Sequence, residues 1–201
     1  MFNYSSDREQ SELLQNWWQQ NRIACLVSML VLLGSISLFQ KWQEHRATVE
    51  IKAATMFSQL LLDKKPEQAQ QIMLKYPQSP YSDFANLWLA RKDCDQAKWQ
   101  AAITKYEQTI KHTKVTATKA IAHWLKAHAL TESKQYDKAL LELDYLKNQT
   151  TLVDEYRGDI YNIMGKKELA YTAYDAAKTS SKNPSLTNRI TLKQQNIFIT
   201  K

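Results

Sequence analysis

"YRGDIYNIMGKKELAYTAYDAAK", residues 156–178, decides the fold. Gly158 and Ala170 stand twelve residues apart, with Tyr174 and Ala177 four and seven residues beyond Ala170. Two antiparallel helices approach closely only where small residues face each other at the crossing. A large residue one turn later then fills the space against the next pair. The spacing recurs upstream in Ala90, Ala102, Tyr106 and Thr109, and again in Ala127, Ala139, Leu143 and Leu146. Three residues before each second small residue stand Trp99, Tyr136 and Lys167. Successive units are offset by 37 and 31 residues. A single helix pair of this kind cannot bury its own faces, so the pairs are expected to stack.

The rest of the chain after Thr48 fits the same plan. Breaks are expected at Lys64-Lys65-Pro66, Tyr76-Pro77-Gln78-Ser79-Pro80, Asn148-Gln149-Thr150-Thr151 and Asn183-Pro184. Residues 48–76 form a further, degenerate pair with Ala69 in the small position, and Pro184 to Ile199 reads as a capping helix. The 201 residues contain only three Gly and four Pro, too few for a turn-rich all-β fold. The fold class is therefore all-α.

Residues 1–47 are different in kind. From Ile23 to Phe39 the chain runs 17 residues without a charge, and ten of them are Leu, Ile, Val or Phe. As a helix this run spans ~26 Å, close to the hydrocarbon thickness of a bilayer. Trp17 and Trp18 precede it and Trp42 follows it, where amphipathic rings favour the headgroup level. A cleaved export signal would have a shorter apolar core ending in a small-x-small site, but this run ends in Leu38-Phe39-Gln40-Lys41-Trp42. A core helix would carry a polar stripe, and this one has none. The segment reads as a membrane anchor in contact with lipid. Three parts are expected: a head at residues 1–22, a span at 23–39 and a repeat domain at 40–201. Arg8 and Arg22 before the span and Lys41, Arg46 and Lys52 after it leave orientation undecided by charge.

Charge and motif content narrow the function. The net charge of +7 is concentrated after residue 50, and five basic residues with no acidic one follow Asp175. That basic tail suits phosphates or anionic headgroups, but it reads equally as a solvated helix face. Elsewhere the bases are interleaved with acids and no reading element occurs, which excludes specific nucleic-acid binding. Three glycines cannot build a phosphate-cradling loop, and no dinucleotide or Walker motif is present. His45, His112, His123 and His128 form no HExxH, and His123 and His128, five apart, are poorly spaced to share a metal. Cys25 and Cys94 are expected to stay unpaired, and nothing around Cys94 marks an activated nucleophile. The acidic pairs Asp93/Asp95 and Asp154/Glu155 fall near expected helix ends, where they serve as caps or dipole partners. No catalytic residue, cofactor or metal is expected.

The small-residue and aromatic pattern resembles the tetratricopeptide repeat, whose period is 34 residues. Gly158, Tyr161, Gly165, Ala170, Tyr174 and Ala177 fall on that motif's positions. Lys126 and Arg157 depart from it, replacing the usual helix-A leucine that only Leu89 keeps. The resemblance implies a concave groove for partner peptides. By register its positions are Phe84, Leu87 and Arg91, then Ile121, Trp124 and His128, then Leu152, Glu155 and Asp159. An aromatic beside a base is a hot-spot composition, although Phe84 and Trp124 suit helix packing as well.

The head "DREQSELLQNWWQQN", the apolar run and "QKWQEHRATVEIKAATMFSQLL" together resemble the bacterial YfgM family, ancillary subunits of the SecYEG translocon. This resemblance implies a non-enzymatic, single-pass inner-membrane protein with a cytoplasmic N-terminus and a periplasmic repeat domain. The partners it implies are SecYEG, a membrane-anchored periplasmic chaperone resembling a prolyl isomerase, newly exported chains and membrane lipids. Two other readings stay open on the residues alone: a membrane-anchored scaffold for another envelope complex, and a cytoplasm-facing adaptor.

Overall fold

The computed structural model describes residues 7–146 and 150–198. Regular structure among them is entirely α-helical: α1 (Asp7–Asp63), α2 (Pro66–Lys75), α3 (Pro80–Asp95), α4 (Trp99–His112), α5 (Thr116–Glu132), α6 (Tyr136–Asp144), α7 (Thr150–Ile163), α8 (Lys167–Ser180) and α9 (Pro184–Asn196). The expected break at Asn148-Gln149 and the end of the cap at Ile199 lie outside the described residues, while Thr150 and Thr151 are already helical. The chain divides into two units, Met1–Ile51 and Lys52–Lys201.

The first unit is the long apolar part of α1. Its side chains are uncovered, from Ile23 through Leu30 to Leu38 and Phe39, and the helix is long and apolar enough to cross a membrane. Ser28, Ser35 and Ser37 each donate to the carbonyl four residues back, Ala24, Val31 and Leu33, at 2.7, 2.7 and 3.0 Å. A hydroxyl bonded in this way leaves no unsatisfied polar group in hydrocarbon. Trp42 lies under the Arg46 guanidinium at 4.8 Å, an arrangement suited to a headgroup layer.

The second unit is a stack of helix pairs. The last turns of α1 and α2 make the first, with Leu60, Ala69 and Ile72 buried against Ala85 and Leu89 of α3. The three following pairs are α3 with α4, α5 with α6, and α7 with α8. Ala90, Ala102, Ala127, Ala139 and Ala170 are fully buried at the crossings. Trp99, Tyr136 and Lys167, matched by the spacing alone, are each the first residue of their second helix.

Each pair turns in the same way. Lys64, Ala97, Lys134 and Gly165, each five residues before the small residue of the second helix, have φ of 56°, 55°, 61° and 72°. In three of these turns the next residue's N–H reaches back five residues: Lys98 to the Asp93 carbonyl at 2.8 Å, Gln135 to Leu130 at 2.8 Å, and Lys166 to Tyr161 at 2.9 Å. The left-handed residues themselves bond back three, to Cys94, Thr131 and Asn162. This is the Schellman termination, which satisfies carbonyls that the helix end would otherwise leave open. Pro66, Pro80 and Pro184 open α2, α3 and α9 at positions where a missing N–H costs nothing.

Lys126 and Arg157, which stand where leucine is usual, are accommodated by ion pairing. Lys126 Nζ lies 2.9 Å from Glu107 on α4 and 2.8 Å from Glu142 on α6, tying one pair to the next. His123 Nδ1 lies 2.6 Å from the other Glu142 oxygen. Arg157 bonds Asp144 at 3.0 Å. Burial alone would lower the Lys126 pKa, but the bonds and charges of Glu142 and Glu107 outweigh it and raise it.

α9 caps the stack. Ile190 and Ile197 are buried with Ala170, Tyr174 and Ala177 of α8. Arg189 makes a two-pronged contact with Glu155 at 3.0 and 2.6 Å, and Lys193 contacts both oxygens of Asp159 at 2.9 and 2.7 Å. Both partners lie 34 residues earlier, so α9 sits one repeat length on, as a first helix without its second. With Lys178 paired to Asp175 at 3.7 Å, three bases of the basic tail are engaged in the domain's own ion pairs.

Candidate partner-binding face

The first helices of the repeats, α3, α5 and α7, carry the nine groove positions, and the structure distributes them unequally. Leu87 is 8% exposed and belongs to the core. Phe84 is half-buried, with its ring 6.0 Å from Phe57 and 5.9 Å from Tyr81. Ile121 and Leu152 are exposed. Arg91, Trp124 and His128 come together on one cleft of 440 Å³ between α3 and α5. Trp124 also lines a second cleft of 270 Å³, together with Leu152, Glu155, Asp159, Arg189 and Lys193. One indole thus divides two hollows.

An aromatic cluster fixes that indole. The Trp124 ring lies 4.9 Å from His128, edge-on, and 5.3 Å from Tyr156. His128 stacks on Tyr156 at 3.9 Å. Burial among these rings pushes the His128 pKa below its ordinary value, and the same cause pushes the Tyr156 phenol up to about 12. Both rings are therefore neutral at neutral pH. They join α5 to α7 without adding charge to either cleft.

The first cleft also holds residues that register did not point to. Trp99, Tyr106 and Cys94 contribute to its lining, and Asp95 and Glu132 stand on it from the ends of α3 and α5. Asp95 and Glu132 occupy the same place in successive repeats, five residues after Ala90 and Ala127. That recurrence was available in the sequence, but only the fold turns both helix ends toward one hollow. The Cys94 Sγ lies 3.6 Å from the Tyr106 hydroxyl, and burial raises the thiol's pKa, leaving it a packing group. Both cysteines are free.

The second cleft is already furnished with opposite charges. Glu155, expected as a cap or dipole partner, is instead a buried anchor for Arg189 and Lys193. Burial would raise its pKa, but these two cations outweigh that and hold it below the ordinary value. Asp159 serves Lys193 and the Tyr174 hydroxyl. No group of three or more potential metal-ligating His, Cys, Asp or Glu side chains occurs among the described residues.

Stacked helix pairs with left-handed turns, small residues at every crossing and a furrowed first-helix face define a helical-repeat protein. The chain belongs to the tetratricopeptide repeat-like domain family, whose model matches residues 15–198. It is similar along almost its whole length to the protein of Escherichia coli (strain K12) named ancillary SecYEG translocon subunit, at 23% identity over 98% of each chain. Proteins of the same name from Haemophilus influenzae and Aggregatibacter actinomycetemcomitans are 24% and 23% identical, over 88% and 89% of this chain and 91% and 92% of their own. The resemblance read from the residues around the span is thus met by relatives of that name that align over most of the chain. No solved structure matches.

Proposed function

We propose that the protein is a non-enzymatic ancillary subunit of the SecYEG translocon, holding a peptide-binding face beside the channel exit. The observation that supports this most is coverage: relatives of that name align through the apolar part of α1 and the repeats together. A scaffold related only by its repeats would not share the anchor. The uncovered apolar helix and the relatives fit a single-pass protein of the inner membrane.

In the finer reading residues 1–22 lie in the cytoplasm, 23–39 span the membrane and 40–201 face the periplasm. The domain receives emerging chains through the α3–α5–α7 face and passes them to a membrane-anchored periplasmic chaperone resembling a prolyl isomerase. Anchoring places the face at high effective concentration near the exit, so weak contacts suffice. Arg91, Trp124 and His128 are the groove residues best placed for such contacts, with Phe84, Leu87 and Ile121 supporting the surface around them.

Two measurements test this together. Protease added to spheroplasts is expected to digest the repeat domain, which stays protected in intact cells, and SecYEG is expected to co-purify with the full chain in mild detergent. A domain that resists until the inner membrane is broken would give the cytoplasm-facing adaptor instead. Absence of SecYEG from the purified complex would leave a scaffold for another envelope assembly.

A further inference from the structure

The two clefts beside Trp124 differ in one respect. The second is filled with cations from the chain itself, since Arg189 and Lys193 of α9 reach Glu155 and Asp159. The first has carboxylates and aromatic rings of the same kind, but its one cation among the described residues, Arg91, is paired with Asp95 alone. Glu132 is exposed on it and forms no ion pair with another described residue. Among the described residues the Asp95 carboxylate pairs with Arg91, one turn away at 3.2 Å, and both side chains are more than half exposed, at 57% and 68%. An exposed pair of this type is held by well under the strength of a buried one and yields readily to a competitor.

We infer that the cleft between α3 and α5 binds a lysine or arginine side chain of an extended polypeptide, its stem against Trp124 and its charge at Glu132 and Asp95. This deepens the proposed peptide-handling role and rests on it. Three features carry the inference. The lining has two carboxylates against one guanidinium, in a chain whose net charge is +7. Its rings, Trp124 and Trp99 above all, suit the long apolar stem of a basic side chain and attract its charge. The neighbouring cleft shows the chemistry realised in cis, with two bases seated on carboxylates on the other side of Trp124. His128 enters as a neutral ring, because burial outweighs the carboxylates of Glu132 and Asp159 that favour its charged form, and Arg91 acts with burial.

The test uses the full-length chain in detergent micelles and three short labelled peptides of one extended sequence, differing only in lysine, norleucine or glutamate at two positions. Fluorescence anisotropy is expected to show the lysine peptide binding about tenfold tighter than the norleucine one, with the difference shrinking at high salt. Glu132→Gln is expected to weaken the lysine peptide about three- to tenfold and leave the norleucine peptide unchanged. Trp124→Leu is expected to weaken the lysine peptide about tenfold, and the exposed Glu132 site keeps the test valid should the Trp124 variant fold poorly. Equal binding of lysine and norleucine peptides, or preference for glutamate through Arg91, would overturn the assignment. So would self-association abolished by Glu132→Gln, which would give the cleft to a second copy. SecYEG co-purification, measured on the same preparation, separates the two claims. Retained SecYEG without lysine preference removes the cleft assignment alone. Lysine binding lost on Glu132→Gln, with no SecYEG, removes the translocon role alone.

Discussion

The ring of Tyr174 lies against Gly158 so closely that a methyl group there would meet its Cδ1 and Cε1 at 2.6 Å. The phenol donates to Asp159 Oδ1, also at 2.6 Å, which turns the ring over the glycine. Its counterpart Tyr106 has its hydroxyl at Cys94 instead, and the small residue at that crossing is Ala90. The same tyrosine position thus takes two different hydroxyl partners, and the small residue is Gly where the Tyr174 ring lies against it.

Gly158→Ala is therefore expected to destabilise the third repeat by about 1–3 kcal/mol through overpacking, despite the better helix propensity of alanine. Tyr174→Leu in the same chain should recover most of that loss, because leucine, as Leu143, already fills this register in the core of the preceding repeat. Thermal unfolding followed by circular dichroism checks both. No loss in the single variant would mean that Tyr174 moves aside freely.

The four left-handed turns give a second expectation. Lys134, at φ 61°, holds a conformation that costs a non-glycine residue about 1–2 kcal/mol. Lys134→Gly should return part of this, about 0.5–1 kcal/mol after the greater freedom of the unfolded chain is counted. Gly165→Ala should lose about 1 kcal/mol, from backbone conformation alone, since nothing lies within 4 Å of the added methyl. Denaturant midpoints of the two variants should shift in opposite directions.

Lys126 and Glu142 form a coupled pair between the two helices of the α5–α6 repeat. Lys126→Met should destabilise by about 1–3 kcal/mol, because it removes a buried partner from Glu142, leaving that carboxylate to His123. The same change in a Glu142→Gln background should cost distinctly less. A double-mutant cycle reads the difference, and additivity would show that the two groups do not interact.

The cap responds to acid through Glu155. Its folded-state pKa lies below the ordinary value of 4.5, so the folded state binds fewer protons than the unfolded one between those two values. The stabilisation is fully present above about pH 4.5 and is lost as pH falls through the lower, folded value. Hydrogen exchange in α9 should accelerate over that acidic interval, ahead of exchange in α3 and α4. Glu155→Gln should remove its contribution to this pH dependence. An unchanged acid profile in that variant would place the dependence elsewhere.

Much of the fold was legible because it rests on local spacing. The twelve-residue interval between small residues fixed where each pair crosses, and Trp99, Tyr136 and Lys167 fell on helix starts. Lys126 and Arg157 broke the pattern when read alone, since a cation at an apolar position looks unfavourable. Glu142 is brought to Lys126 by the pairing of α5 with α6, and Glu107 and Asp144 reach their partners by the stacking of one pair on the next. The groove positions were legible as register but not as exposure: Leu87 is spent on the core, whereas Arg91, Trp124 and His128 share a cleft.

The sequence by itself determined the long apolar helix, the helical class and the repeat register, because each depends on residues a few positions apart along one helix. Only the tertiary structure decided that Tyr156 completes the cluster around Trp124, that Glu155 anchors α9, and that Asp95 and Glu132 face one hollow. Those relationships join residues about one repeat apart. Their geometry depends on how one helix pair settles on the next, which side-chain packing sets and periodicity does not encode.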